Sequence, residues 1–174
     1  RCTLSNTFTL RDANRGGCAH SCRWNYNIYD QDKKISTEIP FSMGSTDLQA
    51  LKEVPSLIAA GVDSLKIEGR MKSLHYIATV VSVYRKLIDE YLLTNEIKDI
   101  SIYEDEIAKA ESRPTNTGFL NKDNLSLIQL YDQRPLTPSQ LFVGIVLSSD
   151  SNFTKIEQRN HFEVGDELEL FGPN

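Results

Sequence analysis

The side chains with the greatest chemical potential crowd the start of the chain. Cys2, Cys18 and Cys22 are its three cysteines, and all fall within the first 22 residues. An odd set this sparse is no disulfide scaffold. Three readings compete for it. The thiols are buried or incidental free groups. Or one is a nucleophile, with His20 between Cys18 and Cys22 as its base, although no Asn or Asp is evident to orient that ring. Or they are ligands of a metal or iron–sulfur centre, since thiolates suit Zn²⁺ and Fe–S clusters and both usually take four ligands. The spacing in Cys18-Ala19-His20-Ser21-Cys22 lets two thiolates converge from one turn. Gly16-Gly17 permits close backbone approach, and Arg15 and Arg23 favour thiolate over thiol.

A second cluster is Ile67-Glu68-Gly69-Arg70-Met71-Lys72. Glu68 could act as a base or orient a cation, and Arg70 and Lys72 could bind an anion. Such triplets are often only solvated loops with ordinary salt bridges. Position raises this one, because catalytic groups of parallel α/β folds collect at the carboxyl ends of strands. His75 and His161 belong to no metal-ligand pattern and read as surface or structural residues. Tyr76, Tyr84 and Tyr91 read as a helix-face core. No zinc-protease helix, nucleophile elbow, phosphate loop or dinucleotide fingerprint is present.

The elements that must position these groups follow from periodicity. Residues 1–30 are irregular and end in a strand near Trp24–Tyr29, and Gln31–Thr37 is a polar hairpin-like turn. Phe41-Ser42-Met43 suits a short strand. Ser45 is a candidate N-cap for a helix whose face starts at Leu48 and Leu51. Pro55 opens a short helix over Ser56–Ala60, with Gly61 ending it. Val62–Glu68 reads as a buried strand closed by Gly69. Ile77, Val80, Val81, Tyr84, Leu87, Ile88 and Tyr91 lie on one face of a long helix, and another helix covers Ile102–Glu111 before Pro114. Strand, helix, strand, helix predicts parallel α/β units. Residues from Thr115 to Ser139 read as a linker. Short strands follow at Val143–Leu147, Phe153–Gln158 and Glu167–Phe171, with turns at Ser148–Asn152 and Gly165-Asp166. Their alternation fits part of a small β-barrel.

The 174 residues suffice for one domain or two small ones. With 40% hydrophobic residues the chain can bury a core, and no apolar run approaches the ~18 residues of a membrane span. The formal net charge of −5 excludes a general polyanion binder, so nucleic-acid binding requires a local basic patch or another part of the protein. The absence of an initiator Met and of a targeting segment, and an end directly after a strand, suggest a piece of a longer protein.

Four blocks, in order, carry a resemblance. They are Arg1–Asn6 with Arg11–Trp24; Gly61–Lys72; Arg113 with Thr117-Gly118-Phe119; and Phe142-Val143-Gly144 through Gln158-Arg159-Asn160, Val164-Gly165-Asp166 and Phe171-Gly172-Pro173. They closely resemble the peptidase U32 family, long labelled collagenase-like proteases, and the likeness spans nearly the whole chain. It implies an α/β fold: the last β/α units of a TIM-like barrel in residues 1–120, a linker over 121–141, and the start of a small C-terminal β-barrel in 142–174. Residues 119–141 are shorter and more polar than the family pattern.

That pattern places a further Cys upstream of Arg1, which would complete a four-Cys set with Cys2, Cys18 and Cys22 for a 4Fe–4S cluster. Members of this type support oxygen-independent hydroxylation of tRNA or rRNA bases or of quinone precursors. The leading expectation is therefore a cytoplasmic enzyme that helps hydroxylate a tRNA uridine. Glu68 and Arg70 are the candidate catalytic residues, and Arg15, Arg23 and Lys72 would hold phosphates or a small anionic cosubstrate. Alternatives are a protease of collagen-like peptides, and an RNA- or protein-binding module in the β-segment. An oligomer is open; a membrane partner is not expected.

Overall fold

The computed structural model describes residues 2–35, 41–69, 72–110, 114–120 and 142–172. The order of elements is mixed α/β. Helix α1 spans Leu4–Thr9 and is followed by 3-10 turns at Ala13–Arg15 and Ser21–Arg23. Strands β1 (Tyr29–Asp30) and β2 (Lys33–Lys34) form an antiparallel hairpin. Then come β3 (Asp47–Leu48), α2 (Val54–Ala59), α3 (Leu74–Thr94), α4 (Ile100–Ala108), β4 (Thr115–Asn116), β5 (Gly144–Ser149) and β6 (Thr154–Gln158). Strands β3 and β4 pair in parallel, β5 and β6 antiparallel, and none of the three two-stranded sheets closes on itself.

Helix α3 exists because an apolar stripe and two good caps coincide. The Ser73 side chain accepts the Tyr76 amide at 3.1 Å, and Asn95 ends the helix in the left-handed region. Its inner face buries Thr79, Val80, Val83 and Leu87. Leu87 and Val83 meet Leu51, Val54 and Ile107 in one cluster, with Leu65, Tyr84 and Tyr103 packed round it. Pro55 sits in the first turn of α2, where its missing N–H costs nothing. Asp99 caps α4 by accepting the Ser101 hydroxyl at 2.7 Å and the Ser101 amide at 2.9 Å, and these hydrogen bonds hold its carboxyl below the usual range.

Several expectations need correction. Ser45 caps no helix, and Leu48 is in a strand. The Asp47 amide donates to Pro114 O at 3.1 Å and Gln49 to Asn116 O at 3.0 Å, so a ladder satisfies this backbone and the helix waits for Pro55. Val62–Glu68 is not a buried strand: it joins no ladder, and Val62 is exposed. Its alternation survives, with Leu65, Ile67 and Gly69 half-buried and Lys66 and Glu68 outward, but a parallel strand needs a hydrogen-bonded neighbour and none is paired here among the described residues. Glu167–Phe171 likewise enters no ladder, being held by side chains instead. Of Trp24–Tyr29 and Phe41–Met43 there remain one antiparallel bridge, Tyr26 with Phe41, and Tyr29 at the start of β1, and the hairpin turn narrows to Gln31-Asp32. The helix expected at 102–111 is Ile100–Ala108, while Arg113 and the expected linker at 121–141 lie outside the described residues.

The β5–β6 hairpin and its tail dock on the helices. His75 stacks on Phe142 (5.2 Å between centroids) and meets the edge of Phe171. Lys109 bridges Glu106 of its own helix and Glu169 of the tail at 2.6 and 2.8 Å. His75 is therefore no surface residue.

Two outcomes test this packing. Leu87→Ala, at a side chain 0% exposed, should cost about 2–5 kcal/mol in denaturant unfolding, whereas Leu93→Ala, 86% exposed, should stay within roughly 0.5 kcal/mol. Tyr103 donates to Glu90 at 2.6 Å, and burial first and that carboxylate second push its phenol up to about 12. A folded value above the unfolded one stabilises below about pH 10 and is lost as pH rises through the folded value. Tyr103→Phe should therefore flatten the loss of melting temperature across that alkaline window.

Candidate functional site

The N-terminal segment is a small braced unit. Ser5, buried on α1 three residues after Cys2, accepts the Ala19 amide at 2.9 Å and donates to Gly17 O at 3.5 Å. The Cys18 loop is thus stapled to the helix that Cys2 precedes. Asp12 starts the turn, taking the Asn14 amide on its carboxylate at 3.0 Å and the Gly17 amide on its carbonyl at 2.9 Å. Gly16 has φ +91°, and a Cβ on Gly17 would lie 3.0 Å from Asp12 O, so both glycines are required. Cys22 sits in the second 3-10 turn, whose carbonyls are caught by Tyr26 (Ser21 O, 2.7 Å) and buried Ser42 (Cys22 O, 3.2 Å). Phe8 packs against Trp24 and Tyr26, closing α1 over that turn.

All three thiols are free; Cys2 and Cys18 are exposed and Cys22 is half-buried. The His20 amide donates to Cys18 Sγ at 3.4 Å, which orients that sulfur within the loop. Among the described residues no three His, Cys, Asp or Glu side chains stand close enough to hold a metal ion. The unit fits an iron–sulfur cluster in donor type, access and backbone bracing, but not as an assembled ligand set. Arg15 and Arg23 flank it in the last positions of the two turns, both exposed, with Arg15 Nε 3.4 Å from Asp12.

The second cluster is built differently from the sequence expectation. Glu68 is exposed at the end of its segment, and Arg70 lies outside the described residues. Lys72 is half-buried, its amide bonded to Gly69 O. Its ammonium meets Asp47 at 2.7 Å and stands 4.6 Å over the Tyr76 ring. The sequence reading missed Asp47 altogether and took Tyr76 for core. An anion reaching Lys72 meets a charge that Asp47 already compensates. His161 is a surface residue, bonded to Glu163 at 3.0 Å.

These features define an α/β unit with a cysteine-bearing loop, a charged turn ahead of its main helix, and a docked β-hairpin. The chain belongs to Peptidase family U32: residues 1–128 match that family and residues 138–174 match the Peptidase family U32 C-terminal domain. It is 43% identical over 182 residues to tRNA hydroxylation protein P1 of Bacillus subtilis (strain 168), covering 99% of this chain and 43% of that protein. Similarity to tRNA hydroxylation protein P of Escherichia coli (strain K12) is 30% over 221 residues, covering 99% and 48%. A collagenase of Porphyromonas gingivalis is 27% identical over 177 residues, covering 99% and 49%. The chain spans about half the length of these relatives. No solved structure matches it.

Ser5→Ala leaves the Ala19 amide without its partner. It should cost about 1–3 kcal/mol and speed amide exchange at Ala19, while the β5–β6 hairpin exchanges unchanged.

Proposed function

We propose that the protein takes part in hydroxylating a uridine of tRNA in the cytoplasm. The observation that carries this reading is the 43% identity to a tRNA hydroxylation protein along 99% of the chain. On this reading Cys2, Cys18 and Cys22 are three thiolate ligands of a 4Fe–4S cluster, the fourth coming from outside these residues. When bound, the cluster supplies electron transfer or activation. The chain's own part is to hold the thiolates. The His20 amide donates to Cys18 Sγ, and the Ser5 staple fixes the loop. Arg15 and Arg23 are exposed beside the loop and suited to phosphate contacts. Glu68 and Arg70 are the proposed catalytic pair, with Lys72 as a substrate-binding cation. The α/β unit would then be the final β/α units of a TIM-like barrel, and the β5–β6 hairpin the beginning of a small barrel.

The collagenase-named relative favours one other reading, hydrolysis of collagen-like peptides. Two measurements separate them. The protein at its native length, purified without air, should show iron–sulfur absorbance and a reduced-state EPR signal, which Cys18→Ala and Cys22→Ala abolish. In cells lacking the protein, hydroxylated uridine in tRNA nucleoside digests should fall to background and return with the wild type but not with Cys18→Ala. A colourless, iron-free protein that restores the modified uridine would overturn the cluster assignment. Cleavage of denatured collagen, lost in Cys18→Ala or Glu68→Ala, with tRNA unchanged would overturn the RNA reading.

A further inference from the structure

Charge is distributed unevenly along the chain. Residues 1–35 hold six Lys or Arg against three Asp, and the remaining residues hold 13 against 21 acids. Such asymmetry points to a polyanion at the basic end, since the acidic remainder repels it elsewhere. Arg11 and Arg23 are exposed and form no ion pair among the described residues, and Arg15 reaches Asp12 only at 3.4 Å. Arg11 flanks the cysteine-bearing loop, its Cβ lying 3.5 Å from where a Cβ on Gly17 would stand. Arg15 ends the turn that leads into that loop, and Arg23 ends the turn that holds Cys22.

The same unit holds two large rings in water. Phe8 of α1 is 54% exposed and Trp24 is 44% exposed. Their centroids are 6.3 Å apart at 51°, so the rings lean together rather than stack. Phe8 also packs on half-buried Tyr26 at 6.1 Å, which roots the pair. The backbone of Trp24 is fixed as well. Its amide donates to Ser21 O at 3.2 Å, the same carbonyl that takes the Tyr26 hydroxyl at 2.7 Å. The outer halves of these rings add nothing to the core, and apolar surface exposed together marks an interaction site. Aromatic rings interleaved with arginines are the composition of a single-strand site. There the cations track phosphates and the rings stack on bases.

Resting on the tRNA reading above, we propose that Phe8 and Trp24 form a stacking platform for an unpaired segment of RNA, with Arg11, Arg15 and Arg23 holding its phosphates. Trp24 follows Cys22 by two residues, so a base on the platform is held beside the thiol-bearing turn. A single strand fits and a duplex does not, because paired bases keep their faces inside the helix stack. The platform holds RNA without reading its sequence, since every base has a face to stack.

The test is binding, independent of turnover. Fluorescence anisotropy is measured with an unstructured RNA of about ten nucleotides and with a duplex of the same length, using the protein at its native length, purified without air. Wild type should prefer the single strand by about tenfold, and the RNA should quench tryptophan emission. Trp24→Ala should weaken binding by about tenfold or more. Trp24→Phe keeps a ring, so it should still bind but lose that quenching. Arg11→Gln and Arg23→Gln should each lower the slope of log affinity against log salt by about 0.7. Equal affinity for the duplex, unchanged affinity in Trp24→Ala, undiminished quenching in Trp24→Phe, or an unchanged salt slope in both arginine variants overturns the proposal. So does a lowered melting temperature of Trp24→Ala with unaltered RNA binding, which would mark the rings as covered by protein. If Trp24→Ala restores tRNA hydroxylation fully in cells, the platform falls and the tRNA reading stands. If wild type restores none, the tRNA reading falls, and the single-strand preference and quenching still decide the platform.

Discussion

Two backbone hydrogen bonds, from Asp47 to Pro114 O and from Gln49 to Asn116 O, set the arrangement of the α/β unit. They pair β3 with β4 in parallel, and a parallel pair cannot be made by a turn; it needs a long crossover. Here the crossover holds α2, α3 and α4, and closing so long a loop costs entropy. The offset is the cluster those helices bury inside it, Leu51 and Val54 from one side and Val83, Leu87 and Ile107 from the other. The ladder and the core therefore depend on each other. The Lys72–Asp47 pair sits on this closure, its carboxylate supplied by β3.

What was legible in the residues divides along the same line. Helix α3 was readable because its apolar spacing is local. Pro55 and the β5–β6 hairpin were readable for the same reason. The Val62–Glu68 segment shows the limit: its alternation is correct, but a strand is defined by a neighbour the pattern cannot name. Ser45 shows the converse, a good capping residue overruled by a ladder to residues near position 115. At the candidate site, the cysteines and the charged turn announced themselves by type and spacing. Asp47 did not, because it lies 25 residues before the lysine it holds. Ser5 did not, because a serine on a short helix looks like any other until its hydroxyl is seen between Gly17 and Ala19.

The acidic balance bears on an RNA substrate less than the net charge of −5 implies. Several of the basic residues in the helical and β parts are engaged locally: Lys52 with Glu104, Arg85 with Asp89, Lys109 with Glu106 and Glu169, Arg159 with Glu157. Residues 1–30 differ, with four Arg against two Asp. Arg15 and Arg23 stand exposed there beside the cysteine loop. Local potential, not the chain's total, governs where a polyanion approaches, and salt screens anything beyond about 8–10 Å. A basic stretch of the chain is thus also its thiol-bearing stretch.

The β-hairpin adds a constraint on approach from the other end. Its anchors, Phe142 and Phe171, pack on His75, three residues after Lys72 at the start of α3. Lys109 ties the same tail to α4 through Glu169. One anchor is apolar and the other is a bridge on an exposed carboxylate, so the stacked rings carry most of the docking and the ion pair mainly fixes orientation. Residues beyond position 141 thus pack against the first turn of α3. The β-segment thereby fixes the start of α3, while the charge of Lys72 stays paired with Asp47.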